Sequence, residues 1–144
     1  MRATFPKSEH LCRLGEIEKL FSAGSRSATV YPLRLVYRKV KAQPDTPRVK
    51  VLLSVAKRRL RHAVDRNRAK RQLRESYRHE KECLLRALAG DEALHLGLIW
   101  LAEAPQPSDL LRATVHTLLE RVAENLDREH LRRSESTQPV PTQD

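Results

Sequence analysis

Acidic residues, aromatics, glycine and cysteine are all scarce in this 144-residue chain, and each scarcity excludes something. Phe, Trp and Tyr make up 4% of it, so a core must be built mainly from Leu, Val and Ala. With four glycines there is no Gly-rich loop to cradle phosphates. The two cysteines, Cys12 and Cys83, form no motif with each other or with the six histidines, and are expected to be reduced structural thiols in a cytosolic protein. Met1-Arg2 leads into no apolar run, so no signal peptide is expected. No stretch is long and apolar enough to span a bilayer, and no internal repeat is visible. The expectation is a soluble, cytoplasmic protein with one domain over residues 1–133 and a modest core.

Positive charge is plentiful. Lys and Arg number 28 against 18 Asp and Glu, a formal +10 with a pI near 10.2, which points to an anionic partner. The excess is concentrated. From Lys57 to Arg78 there are ten basic and two acidic residues, a net +8. No Gly or Pro interrupts residues 57–89, and the residues favour a helix over about 61–89. At 3.6 residues per turn, Ala69, Leu73, Tyr77, Leu84 and Leu88 fall on one stripe that would pack on a core. Asn67, Arg71, Arg74, Arg78 and Lys81 fall on a neighbouring stripe. Like charges at these spacings repel, so the row is locally unfavourable unless a polyanion neutralises it. A phosphate backbone would do so, with affinity gained through counterion release. A purely solvated basic face usually mixes signs, which this one hardly does. A leucine-zipper basic region would need apolar heptads downstream, where the chain has Gly90 and Gly97 instead.

Catalytic constellations are missing. His62, His79, His95, His116 and His130 sit in different elements without metal-ligand spacing, and His10 near Cys12 makes only two potential ligands. A nuclease acting alone would need clustered carboxylates for metal ions or a His/Lys constellation, and neither is legible.

In chain order, Leu14, Ile17, Leu20 and Phe21 recur at helical spacing and Gly24 is a natural stop, giving a short helix over 14–23. Residues 27–41 alternate as a strand, broken near Pro32, with Leu33, Leu35 and Tyr37 on one face and Arg34, Val36, Arg38 and Val40 on the other. Residues 42–48 read as a hairpin loop. Residues 49–56 are mostly apolar and predict a central strand, which exits at Lys57. After the long helix, 94–102 is a buried strand containing Trp100. Ser108 is an N-cap for a last helix over 109–131, with Leu111, Val115, Leu118, Leu119, Val122 and Leu126 inward. Residues 134–144 are polar, contain Pro139 and Pro141, and read as a disordered tail. The order α-β-β-α-β-α predicts an α/β (α+β) sandwich with helices packed on a central mixed sheet.

Ser54-Val55-Ala56-Lys57-Arg58, followed by Arg66-Asn67-Arg68-Ala69-Lys70-Arg71 and Gln72-Leu73-Arg74-Glu75, resembles the signature of the protein subunit of bacterial ribonuclease P. There a strand ending in Ser/Thr-Val-X-Lys-Lys leads through a short spacer into Arg-Asn-Arg-X-Lys-Arg-X-X-Arg-Glu. The resemblance spans about residues 8–130. It implies a left-handed β-α-β crossover, where general rules favour the right-handed one. It implies no catalytic residue in the protein, because the RNA subunit and its magnesium ions cleave the phosphodiester. Lys57, Arg58, Arg66, Asn67, Arg68, Lys70, Arg71, Arg74 and Arg78 would contact RNA. Ile17, Phe21, Leu35, Tyr37, Ser54 and Ala56 would form a cleft for the 5′ leader of precursor tRNA, aromatic rings there stacking on nucleotides. The implied partners are the catalytic RNA and precursor tRNA, with no membrane and no obligate protein partner. Ala102-Glu103-Ala104 departs from the family, which commonly has basic residues there. A stand-alone protein bound to ribosomal RNA would share the basic strip without the cleft, and a protein-only nuclease would cleave without RNA.

Overall fold

The structure is a computed structural model that describes residues 9–11 and 13–137, with side chains through Arg132. Its elements are α1 (Leu14–Leu20), β1 (Arg26–Val30), β2 (Leu33–Lys41), β3 (Val49–Ser54), α2 (Ala63–Glu80), α3 (Glu82–Ala87), β4 (Glu92–Trp100) and α4 (Ser108–Thr137). The four strands form one mixed sheet in the order β1-β2-β4-β3. β1 pairs with β2 and β2 with β4, both antiparallel, while β3 runs parallel to β4 and reaches it through α2 and α3.

Alternation sorts the side chains onto two faces. On one, Leu33, Leu35 and Tyr37 of β2, Val49 and Val51 of β3, and Leu94, Leu96, Leu98 and Trp100 of β4 meet the inward stripes of α2, α3 and α4. The predicted stripe of Ala69, Leu73, Tyr77, Leu84 and Leu88 is buried there, as are Leu111, Val115, Leu118, Leu119, Val122 and Leu126 of α4. On the other face, Leu20 packs with Leu11 and Val36, and Ile17, Leu52 and Ile99 border them. α1 lies close over β4: a Cβ on Gly97 would sit 3.3 Å from Leu20 Cδ2 and 3.7 Å from Phe21 Cζ.

Several expectations need correction. The strand at 49–56 is shorter and is an edge, not the centre. It can be apolar because the N-terminal segment covers it: His10 bridges Val51, and the Leu11 amide donates to the Val51 carbonyl at 2.9 Å. Residues 42–48 are not a hairpin, since β4 lies between β2 and β3. The hairpin is β1–β2, turning at the cis Tyr31–Pro32 bond. The single helix over 61–89 is two helices meeting at Lys81. A straight helix of that length would span about 40 Å, whereas a nine-residue strand spans about 30 Å, so the chain bends to keep Leu84 and Leu88 on the sheet. The first helix stops at Leu20, and Gly24 turns the chain with φ +102°. α4 continues through 134–137, where a tail was expected; residues 138–144 and Cys12 lie outside the described residues. Cys83 is a half-buried free thiol, its pKa raised by burial.

Candidate nucleic-acid interface

α2 presents its charges in an order set by its core stripe. With Leu73 facing inward, 100° per residue places Lys70, Arg74, Asn67 and Arg78 on the flank shared by Lys81. Lys81 pairs with Glu9 at 3.0 Å, on the segment running along the edge of β3. The basic flank therefore looks toward the β3 edge, where Lys57 and Arg58 leave the sheet exposed. Arg68 and Arg71 stand on the crest of the helix. Among the described residues, Lys57, Arg58, Arg68, Lys70, Arg71 and Arg74 make no salt bridge, although a carboxylate within reach is the usual companion of a surface cation.

Two of the sequence-selected arginines are engaged elsewhere. Arg66 is half-buried and its Nη1 donates to the carbonyls of Leu60 and Arg61, both at 2.8 Å, tying the loop after β3 to the first turn of α2. Arg78 donates to Glu75 at 2.7 Å, and this bond, ahead of the desolvation that opposes it, holds the Glu75 carboxyl below its ordinary pKa. Asn67 is exposed and Lys70 half-buried. The strip thus has a free N-terminal part and a neutralised C-terminal end, a division the alternation of residue types does not reveal.

The residues assigned to a cleft separate onto opposite faces. Phe21 is 49% exposed at the end of α1, its ring against the sheet near Gly97. Ile17 borders the small core beneath it, Ser54 is on the same face of β3, and Ala56 follows at the strand exit, half-buried. Leu35 and Tyr37 are not on this face. They are fully buried toward α4, where Asn125 Nδ2 donates to the Tyr37 hydroxyl at 3.2 Å. The reason is the period of two: with Leu33 in the main core, odd-numbered β2 residues go in and even-numbered ones face α1. The α1 side of β2 consequently shows Arg34, Val36 and Arg38, and β3 adds Lys50. These cations were not selected from sequence, although the alternation had already put Arg34 and Arg38 on one face.

α4 carries a different electrostatic pattern. Glu80 at the end of α2 binds His116 at 2.6 Å and Arg112 at 3.1 Å. Burial pushes the Glu80 carboxyl up, but these two partners outweigh it and its pKa is lowered, while the Glu80 bond raises that of His116. Glu92, 5% exposed, is bonded by the Ala89 amide at 3.0 Å, His130 at 2.7 Å and Lys39 at 3.2 Å. Burial pushes Glu92 up, and these three donors reverse it, holding the carboxyl at about 2. Among the described residues no group of three or more His, Cys, Asp or Glu is placed to hold a metal ion, and no helix is long and apolar enough to cross a membrane.

The family model for ribonuclease P matches residues 5–123. The ribonuclease P protein component of Chlorobaculum tepidum is 37% identical over 130 residues, covering 83% of each chain. That of Porphyromonas gingivalis is 46% identical over 84 residues, 57% of this chain and 60% of the relative. In fold, the chain resembles the RNase P protein of Staphylococcus aureus, with a TM-score of 0.61 at 15% identity over 81% of this chain and 96% of that one. It also resembles that of Thermotoga maritima, with a TM-score of 0.54 at 17% identity over 78% and 96%.

Proposed function

The chain belongs to the ribonuclease P protein family, and from that premise we propose how its two basic surfaces divide the work of maturing the 5′ end of tRNA. The protein is the auxiliary subunit of an RNA-based endoribonuclease, and RNA is its partner. The catalytic RNA carries the magnesium ions and the cleavage chemistry, and no side chain of this protein acts on the scissile phosphate. The free cations of α2 and the strand exit, Lys57, Arg58, Arg68, Arg71 and Arg74 with Asn67 and Lys70, neutralise phosphates of the catalytic RNA and seat the protein. Arg66 holds the α2 entrance in shape, and Arg78 contributes less because Glu75 already satisfies it. The α1 face of the sheet, with Phe21 over Gly97, Ile17 beneath, and Ser54 and Ala56 at the exit, receives the leader of precursor tRNA, Phe21 stacking on a base. The cell compartment is the cytoplasm, where precursor tRNA is made and trimmed.

The observation carrying this reading is the row of cations on α2 with no acidic partner among the described residues, next to a sheet face that α1 only partly covers. Phe21 on that face favours a leader-binding subunit over a protein that only coats ribosomal RNA. The test is reconstitution at near-physiological magnesium with precursor tRNA. Protein alone, a bacterial ribonuclease P RNA alone, and both together are compared. Cleavage at the mature 5′ end only, or much faster, with both is expected. Tight, salt-sensitive RNA binding without enhancement would replace this reading with the ribosomal one, and cleavage by protein alone would place the chemistry in the polypeptide.

A further inference from the structure

The two edges of the sheet are treated differently. The outer side of β3 is covered by the N-terminal segment, whereas among the described residues nothing pairs with the outer side of β1. An edge strand leaves alternate N–H and C=O groups unpaired, and proteins commonly blunt it with proline, lysine or a bulge. β1 has none of these: it reads Arg26-Ser27-Ala28-Thr29-Val30 and pairs with β2 in unbroken register. Its one charge, Arg26, is engaged by Glu129 at 3.2 Å. Ala28 and Val30 point toward α4 and are only partly buried, so an apolar margin borders the open edge. Ser27 and Thr29, on the other side, are exposed.

α4 runs along this edge and presents a flank of cations that the fold does not use. Arg112 and His116 face Glu80 on α2. At 100° per residue, Arg121, Arg128 and Arg132 share a line on the opposite flank, the one on the β1 side. All three are exposed, and none makes a salt bridge among the described residues. α4 follows the end of β4 at Trp100, level with Leu33, and reaches Glu92 at the other end through His130, so it runs antiparallel to β1. The Glu129–Arg26 pair sets the level, with Arg128 beside the start of the strand. From Arg128 back to Arg121 the helix covers about 10 Å, and from Arg26 to Val30 the strand covers about 13 Å. The arginine row therefore accompanies most of the open edge.

We infer that the β1 edge and this arginine row together form a docking site for an acidic, extended segment of a partner protein, which adds to the sheet as a fifth strand. Main-chain hydrogen bonds to β1 supply affinity, and Asp or Glu at alternate positions, on the side facing α4, supply selectivity. An RNA strand fits less well. It would meet the arginines, but it offers no ladder of N–H and C=O groups at strand spacing to the edge. A second copy of this chain also fits less well, because it would bring another Arg26 and another arginine row against the first, and like charges across paired strands repel. The site lies on the edge opposite β3, away from the cations of α2 and the strand exit, so a segment can dock while the catalytic RNA is in place.

The experiment titrates the full chain, alone and reconstituted with a bacterial ribonuclease P RNA, with a fluorescent synthetic peptide alternating Glu and Thr. Binding is read by anisotropy, and its place by amide chemical shifts of the free protein. Saturable binding with shifts centred on β1 is expected, with the same affinity in the holoenzyme. The combined Arg121→Gln, Arg128→Gln and Arg132→Gln variant, altered only at exposed side chains, is expected to bind about tenfold more weakly at low salt with an unchanged melting temperature. A peptide alternating Lys and Thr is expected not to bind. Two further Glu–Thr peptides carry backbone N-methyl groups, one at every Glu and one at every Thr. One of the two loses binding and the other keeps it, a period-two dependence that charge attraction alone does not produce. No binding at millimolar peptide, or equal effects of the two methylation patterns, overturns the added strand. Displacement of the peptide by the catalytic RNA assigns the row to RNA and overturns the protein partner. Self-association of the chain that the peptide reverses assigns the edge to a second copy and overturns it as well.

Discussion

α2 and α4 lie side by side on one face of the sheet with equally buried inner sides, yet their outer sides follow opposite rules. On α4 the charges that meet α2 and the sheet serve the fold: Arg112 and His116 clasp Glu80, Glu129 pairs with Arg26 and Lys39, and His130 locks onto Glu92. On α2 the cations from Arg68 to Arg74 are paired with nothing among the described residues, and only at Glu75 and Arg78 does the α4 habit return. Exposed pairs are worth little, so apart from the buried Glu92 network stability dictates neither pattern. What separates the helices is that uncompensated like charge at helical spacing costs a few tenths of a kcal/mol per pair, a cost that a bound polyanion reverses.

The largest effect that would break the contrast is on RNA binding. Replacing Arg68, Arg71 and Arg74 together with Ala is expected to weaken binding to the catalytic RNA by about 3–5 kcal/mol and to flatten the log–log salt slope by about 2–3. Arg121→Ala on α4 should leave both unchanged. Equal losses from the two helices, measured by filter binding across a salt series, would mean the RNA does not distinguish them.

Next comes acid stability, which should be anchored on the α4 side. The Glu92 carboxyl is held at about 2 against an ordinary 4.5, so its contribution is complete above about pH 4.5 and is lost as pH falls toward 2. The shift corresponds to about 3 kcal/mol. Glu92→Gln is expected to cost about that much near neutrality and to flatten the acid limb of a denaturant-stability profile. An unchanged profile would remove Glu92 from the anchor.

The smallest effects sharpen the boundary between the two rules. Glu75→Gln removes the carboxylate that offsets the Arg78 charge and should tighten RNA binding a few-fold with a salt slope steeper by up to about one. Glu80→Gln touches only the α4 clasp and should leave RNA binding alone while costing under about 1 kcal/mol. Because His116 is raised above its ordinary value by Glu80, the clasp is fully formed below about pH 6.5 and weakens as pH rises through that raised pKa. Melting temperatures of wild type and Glu80→Gln should therefore draw closer at alkaline pH without meeting, because Arg112 stays charged and keeps its bond to Glu80.

The core stripe of α2, the inward side of α4, the short first helix and the basic strip were legible because each depends on a local period that the chain itself carries. The cleft was only half legible. Alternation correctly divided β2 into two faces, but which face α1 covers and which α4 covers is a matter of packing. Tyr37 therefore looked like a cleft aromatic and is a core residue, while Arg34 and Arg38 looked incidental and line the groove side.

By itself the sequence determined that this is a basic α/β protein with its charge concentrated at one strand-to-helix junction, carrying a ribonuclease P-type signature and no legible catalytic cluster. Residue chemistry and spacing suffice for that. Only the tertiary structure decided that the apolar strand 49–54 is an edge sealed by the N-terminal segment, that Arg66 serves the backbone, that Arg78 is already paired, and that the arginine row of α4 lies beside the open edge of β1. Those outcomes depend on contacts between residues tens of positions apart, and a local period fixes which residues share a face but not what that face will meet.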